Sequence, residues 1–312
     1  MIETFLRRSL LFSLVVGTPL LLLSLLLPRL GIEPVLTESI SYDLKLGFAA
    51  AQNAQHYDII SIGSSITLNN LHSETLLEAF PAGASYLNLA SFNASISNSL
   101  ATLRTVVPRY RPQTILLMSN HIDFESPKWR GLPPRLLKLY LDQKLLPYFY
   151  WRRFNLYDLL QRQRRKRRFM SEARANMQQQ LRMDAYGGVP LRVSPHNLDP
   201  NRKDSAPISQ IDPKQYQALY QLVGFLRFSD VKLIFVQSPL RLSSCQSDSC
   251  RSFQAEHIQQ TRRIVESAGY QFVDLYHQLD LADSLFCDEL HLNFDGPQIA
   301  TQALIEHLKA RY

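Results

Sequence analysis

The sequence predicts an α/β domain built on a doubly wound, mainly parallel five-stranded sheet, with an N-terminal transmembrane helix before it and a helical basic insert within it. Three observations carry this. From residue 57 onward, short apolar runs alternate with stretches of helical spacing, the rhythm of parallel strands joined by crossover helices. Several runs stop at Gly63, Asn120 or Ser238, small residues suited to the turns at a sheet's carboxyl edge. Finally, residues 9–28 form a stretch of 20 residues without a charge.

That leucine-rich stretch is flanked by Arg7, Arg8 and Arg29. At about 1.5 Å per residue it is long enough for a bilayer core of about 30 Å. No small-x-small cleavage pattern comes after it, so residues 1–29 are expected to remain as an anchor. Arg7 and Arg8 favour a cytoplasmic N-terminus, with the bulk of the chain on the periplasmic or extracytoplasmic side of an inner or plasma membrane. Residues 30–56 read as a linker and a helical stretch, and residues 57–312 as the α/β domain.

Residues 57–62 are the first strand, ended by Gly63, and Ser64 and Ser65 come at once. Residues 68–80 then have helical spacing, with Leu71, Leu76, Leu77 and Phe80 apolar. A serine between a strand and a helix lies near free N–H groups that stabilise negative charge, which makes Ser65 a candidate nucleophile. Both serines are equally good helix caps, so the local pattern leaves two readings open. Residues 86–90 form the second strand, 95–107 a helix and 113–119 the third strand, with Asn120 at its end. The glycosylation pattern Asn93-Ala94-Ser95 is discounted because it falls beside the proposed site.

Regular structure resumes with a helix at 214–228, strands at 231–238 and 271–275, and helices at 253–268 and 296–309. Asp288 and His291 stand three apart in the loop before the last helix. A carboxylate at that spacing can hold one imidazole nitrogen and leave the other as a base for a serine. The sequence contains no internal repeat.

The segment 126–212 departs from the α/β rhythm. Residues 136–151 are apolar and aromatic at helical spacing, residues 162–168 read R-Q-R-R-K-R-R, and 197–213 are polar and proline-punctuated, hence loop. Between Lys128 and Arg182 there are 15 Lys/Arg against 3 Asp/Glu, so the net charge of +7 belongs to this segment. Residues 152–168 are expected to contact anionic lipid or polymer, with a solvated helix face as the alternative. No zinc module or RNA-binding motif accompanies the run, so nucleic acid is not expected. Three cysteines match no metal pattern, and neither a metal nor a cofactor is expected. Cys245 and Cys250 flank a polar loop and are expected to form a disulfide in an oxidising compartment, leaving Cys287 as a packing residue.

Four blocks resemble the SGNH (GDSL-type) hydrolase superfamily. Gly63-Ser64-Ser65-Ile66-Thr67 resembles its first block, with Ser65 at the nucleophile position. Asn88 to Ser95 resembles the second, Met118-Ser119-Asn120-His121 the third, and Asp288-Glu289-Leu290-His291 the fifth. The resemblance covers roughly residues 57–125 and 230–312. It implies an SGNH/flavodoxin-like sheet, a Ser65–His291–Asp288 triad and Asn120 as an oxyanion donor. Ser64 and Asn93 are the remaining candidates for oxyanion or substrate contact. Ser64 replaces the family's usual aspartate, Asn93 falls where a glycine is usual, and Met118 and His121 replace a glycine and an aspartate. With an anchor, the pattern is similar to envelope O-acyltransferases and esterases. An acyl donor, a glycan or polysaccharide acceptor and a membrane acyl-transfer partner are the implied partners. The contrasting reading is a catalytically inactive scaffold or envelope-polymer binding protein.

Overall fold

The structure, a computed structural model of the chain, describes residues 2–171, 177, 179–197 and 210–309. Five parallel strands, β1 (Ile59–Ser61), β2 (Tyr86–Asn88), β3 (Thr114–Ser119), β4 (Lys232–Gln237) and β5 (Gln271–Asp274), pair in the order β2-β1-β3-β4-β5. This is the flavodoxin-like order, whose switch point lies between β1 and β3, where open sheets place ligands beyond the carboxyl ends.

Because side chains alternate along a strand, the sheet feeds two cores. Ile60, Ile115, Leu117, Leu233 and Phe235 face one, together with Leu46 of α3 (Ile40–Ala51), Leu103 of α6 (Ile96–Tyr110) and Leu222 of α10 (Pro213–Phe228). Ile59, Leu116, Met118, Ile234 and Val273 face the other, with Leu304 of α13 (Gly296–Lys309). Burial on both faces is why the strands read as continuous apolar runs rather than as alternation.

Three expected helices differ in extent. The stretch 68–80 is two short helices, α4 (Ser65–Asn70) and α5 (Ser73–Leu77), because Leu71 is extended and His72 starts a new helix by capping Thr75 N–H. The stretch 136–151 divides into α7 (Pro134–Leu141) and α8 (Leu146–Arg152), parted where Leu145 takes φ 54° just before Pro147. Helix α11 (Asp248–Ser267) starts earlier than the apolar spacing indicates, since Ser247 within the Cys245–Cys250 disulfide loop caps it through the Cys250 N–H at 3.2 Å. Cys287 is buried outside any disulfide, its Sγ 3.6 Å from Leu292 O.

The segment 126–212 is integrated into the domain. Trp129, Leu137, Tyr140 and Phe149 belong to the larger core, and Leu181, Val189 and Leu191 pack on Leu68 and Cys287. The buried Lys45 ammonium donates to Gly187 O and to Asn88 O, pinning the later part of this segment to the end of β2. The basic run lies on α9 (Leu156–Met170), where Arg162 pairs with Asp43 at 2.7 Å and Lys166 with Glu33 at 2.8 Å. Of the expected loop 197–213, residues 198–209 lie outside the described residues.

At the N-terminus, α1 (Ile2–Phe12) and α2 (Thr18–Arg29) join through a π-turn at Ser13–Gly17 into one helix of 28 residues, whose most apolar 18-residue stretch has a mean hydropathy of 2.5. Its length and composition suit a membrane span, and a signal sequence passes the same test.

Candidate active site

Gly63 adopts φ 146°, and a Cβ there would collide with Thr67 Oγ1, so the turn after β1 calls for glycine on two counts. The Thr67 hydroxyl donates to Met118 O at 2.6 Å, locking the first turn of α4 onto β3. Within that turn the two serines part company. Ser64 is buried and its Oγ accepts the Ile66 N–H at 3.0 Å, the helix cap. Ser65 is the first residue of α4, and its hydroxyl is partly open to solvent.

Ser65 Oγ stands 2.8 Å from His291 Nε2, and His291 Nδ1 stands 2.8 Å from Asp288 Oδ2. A carboxylate only accepts, so Nδ1 carries the proton and Nε2 offers its lone pair to the Ser65 hydroxyl. Asp288 Oδ1 also accepts the N–H groups of Leu290 at 2.8 Å and His291 at 2.7 Å. Burial opposes ionisation of Asp288, but His291 and these N–H donors outweigh it and hold the carboxyl well below the usual range. Burial likewise opposes a charge on His291. The Asp288 carboxylate beside it prevails, and its pKa is raised.

The Asn70 side chain carries no sequence signal as a site residue. Its Nδ2 donates to Leu290 O at 2.9 Å, and its Oδ1 accepts from Leu292 N at 2.8 Å. It therefore grips the chain on both sides of His291 from the helix that starts with Ser65. Asn69, one residue earlier, donates to Val189 O at 2.7 Å and ties residues 181–193 to the same helix.

Asn120 comes after β3 at the same sheet edge. Its Oδ1 accepts the Ile122 N–H at 3.1 Å, while its buried Nδ2 makes no hydrogen bond among the described residues. A buried amide donor left over in this way is rare in a native fold. Asn93 lies beside Ser65 with φ 55°, the left-handed conformation that a glycine would adopt without strain and that asparagine tolerates best among other residues. Asp123 is a further residue that no motif marks: it is buried beneath Ser64, accepts from Ser119 Oγ at 2.8 Å, and burial raises its pKa to about 7.

A pocket of about 340 Å³ opens over the serine, lined by Ser65, Asn69, Phe92, Asn93, Phe169, Gln179 and His291. Phe169, at the end of α9, and Gln179 come from the inserted segment. Neither stands in a motif, so no local signal marks them.

No protein-family model and no curated protein matches the sequence. Among solved structures, the chain is similar to a GDSL-like lipase from Bacteroides thetaiotaomicron (TM-score 0.42, 9% identity, covering 87% of this chain and 98% of that chain). It is also similar to a lipase/acylhydrolase from Enterococcus faecalis (TM-score 0.45, 11% identity, covering 82% of this chain and 96% of that chain). A third is an acetylxylan esterase from Geobacillus stearothermophilus (TM-score 0.44, 13% identity, covering 81% of this chain and 95% of that chain).

Proposed function

We propose that the protein is a serine-dependent esterase or O-acyltransferase of the cell envelope, working through an acyl-enzyme on Ser65. The observation that carries this is the unbroken chain of contacts from Ser65 Oγ through His291 to Asp288, at 2.8 Å for each link. Ser65 Oγ attacks the acyl carbonyl while its proton passes to His291 Nε2. The Ser65 N–H at the start of α4 and Asn120 Nδ2 serve the oxyanion, with Asn93 as a further donor. Collapse of the tetrahedral intermediate expels the alcohol, which takes the proton from His291. Water or a sugar hydroxyl then attacks the acyl-enzyme by the reverse sequence. Asp288 fixes the imidazole tautomer throughout. These steps use protein groups alone.

Two further features support an acceptor of the glycan class. The pocket sets Phe92 and Phe169 beside the amides of Asn69, Asn93 and Gln179, apolar faces for a sugar ring next to groups that bond hydroxyls. The apolar N-terminal helix and the Cys245–Cys250 disulfide fit a membrane-anchored domain in an oxidising, extracytoplasmic space. A membrane partner delivering the acyl group belongs to the same reading.

The test is mass spectrometry of the protein after incubation with small acyl esters, with and without a sugar acceptor. An acyl adduct on Ser65 that is lost in Ser65→Ala is expected, and acceptor-dependent product would identify the transferase. If neither an acyl ester nor a fluorophosphonate modifies Ser65, the inactive scaffold is the correct reading.

A further inference from the structure

A groove of about 750 Å³ lies between the linker and the turn joining α8 to α9, and none of Ser65, His291 and Asp288 lines it. Its position is tied to the anchor. The Tyr150 hydroxyl donates to Ile32 O at 2.6 Å, and Leu27, near the end of the apolar helix, is buried against Tyr150 and Leu159 with Ile32 and Val35 packed on them. With the apolar helix in a bilayer, these contacts hold the groove at the headgroup layer.

Four guanidinium groups line it, those of Arg152, Arg153, Arg162 and Arg165, against the carboxylates of Glu38 and Asp158. Two are already engaged: Arg153 pairs with Glu38 at 2.7 Å, and Arg162 pairs with Asp43 at 2.7 Å. Arg152 reaches only Leu36 O at 3.4 Å, and Arg165 makes no hydrogen bond or ion pair among the described residues. Around the groove, Phe154, Leu156, Tyr157 and Leu160 are exposed, Tyr157 at 69%. Disengaged arginines beside exposed aromatic and aliphatic side chains are what the interfacial zone of an anionic membrane accommodates.

We propose that this groove binds the phosphate headgroup of an anionic phospholipid from the membrane that holds the N-terminal helix. Arg152 and Arg165 contact the phosphate, and Phe154, Tyr157 and Leu160 enter the acyl-chain boundary. The apolar rim and the contact with the anchor select a lipid over a soluble polymer. The basic run as a whole is not the site. Lys166 is held by Glu33, and Arg164, Arg167 and Arg168 do not line the groove. The proposal stands independently of the triad.

The experiment is native mass spectrometry of the full chain in detergent, titrated with phosphatidylglycerol or phosphatidylcholine. The unmodified protein should retain one phosphatidylglycerol with a preference of about tenfold. Combined Arg152→Gln, Arg153→Gln and Arg165→Gln should bring the two lipids to near parity. Combined Arg164→Gln, Arg167→Gln and Arg168→Gln removes the same charge from outside the groove and should keep the preference. The midpoint of thermal unfolding should be unchanged in both variants, which verifies folding whether or not the protein turns over an ester. An equal loss of preference in both variants would reduce the effect to general charge and overturn the site, as would an undiminished preference in the groove variant. Displacement of the lipid by equimolar inorganic phosphate, or stronger retention of a soluble anionic polysaccharide, would overturn the lipid assignment.

Discussion

The chain contains two Asp-x-x-His turns with the same internal geometry, and only one faces a serine. In Asp274–His277 the histidine N–H donates to Asp274 Oδ1 at 3.2 Å, and Nδ1 lies 2.8 Å from Oδ2. In Asp288–His291 the corresponding distances are 2.7 Å and 2.8 Å. Three-residue spacing thus makes an oriented imidazole anywhere the chain can turn. Their surroundings set the two apart. The His277 side chain is 58% exposed and its carboxylate also pairs with Arg262 at 2.6 Å, whereas the His291 side chain is 14% exposed and meets Ser65. The serine–histidine contact comes from the fold, which brings the turn after β1 and the Asn70 side chain against the second dyad.

The comparison breaks most visibly at the histidines. His291→Ala and Ser65→Ala should each lower kcat for a model acyl ester by about 10⁴-fold or more, with no further loss when combined. His277→Ala should leave it within about twofold. Steady-state kinetics on the three variants decides the matter, and an inactive His277→Ala would mean that His291 is the wrong base.

The carboxylates come next. Asp288→Asn should cost about 10³- to 10⁴-fold in kcat because the amide favours the wrong imidazole tautomer. Asp274→Asn should spare kcat and reduce stability by about 1 kcal/mol through a weakened cap on α12 (Leu275–Gln278), measurable by urea unfolding.

A smaller effect is expected at Asn70. Asn70→Ala removes both bonds that flank His291, so kcat should fall about 10- to 100-fold with KM little changed, since the pocket walls remain. A change in KM alone would mean that Asn70 shapes the pocket rather than the dyad.

The subtlest test is the pH profile. In the proposed mechanism activity requires neutral His291, and the Asp288 carboxylate raises its pKa despite burial. The protonated, inactive form therefore persists to higher pH, and kcat/KM should fall as pH drops through a value above the ordinary imidazole pKa of about 6.5. The same sign applies to stability: the contribution of charged His291 is present at low pH and is lost as pH rises through its raised pKa. In the residual activity of Asp288→Asn, the limb should move to lower pH.

The sheet and the Ser65–His291–Asp288 contact chain are legible in the sequence for different reasons. Strands buried on both faces leave unmistakable apolar runs, as 231–238 does for β4. Ser65 and His291 become legible together, since Gly63-Ser64-Ser65 and Asp288-x-x-His291 each have an innocent reading alone. The two roles that Ser64 and Ser65 leave open separate only when the backbone at residue 64 places its hydroxyl on Ile66 N–H. Asn70, Phe169 and Asp123 have no signal, because their roles depend on partners distant in sequence. The asparagine at position 93 conceals a glycine-like shape, since sequence shows the residue and not its φ. The basic run reads as one surface, yet Arg162 and Lys166 are taken by Asp43 and Glu33, more than a hundred residues upstream.

Helix α9 touches the apolar N-terminal helix through Leu159 and the pocket through Phe169, ten residues later. At about 1.5 Å per residue, that is a separation of about 15 Å along its axis. If that helix spans a bilayer and Ser65 is the nucleophile, as proposed, Ser65 is kept on a short leash. Molecules carried on the membrane by a brief stem come within range of it, and those displayed far above the surface do not. Selection by reach would then act before any pocket contact is made.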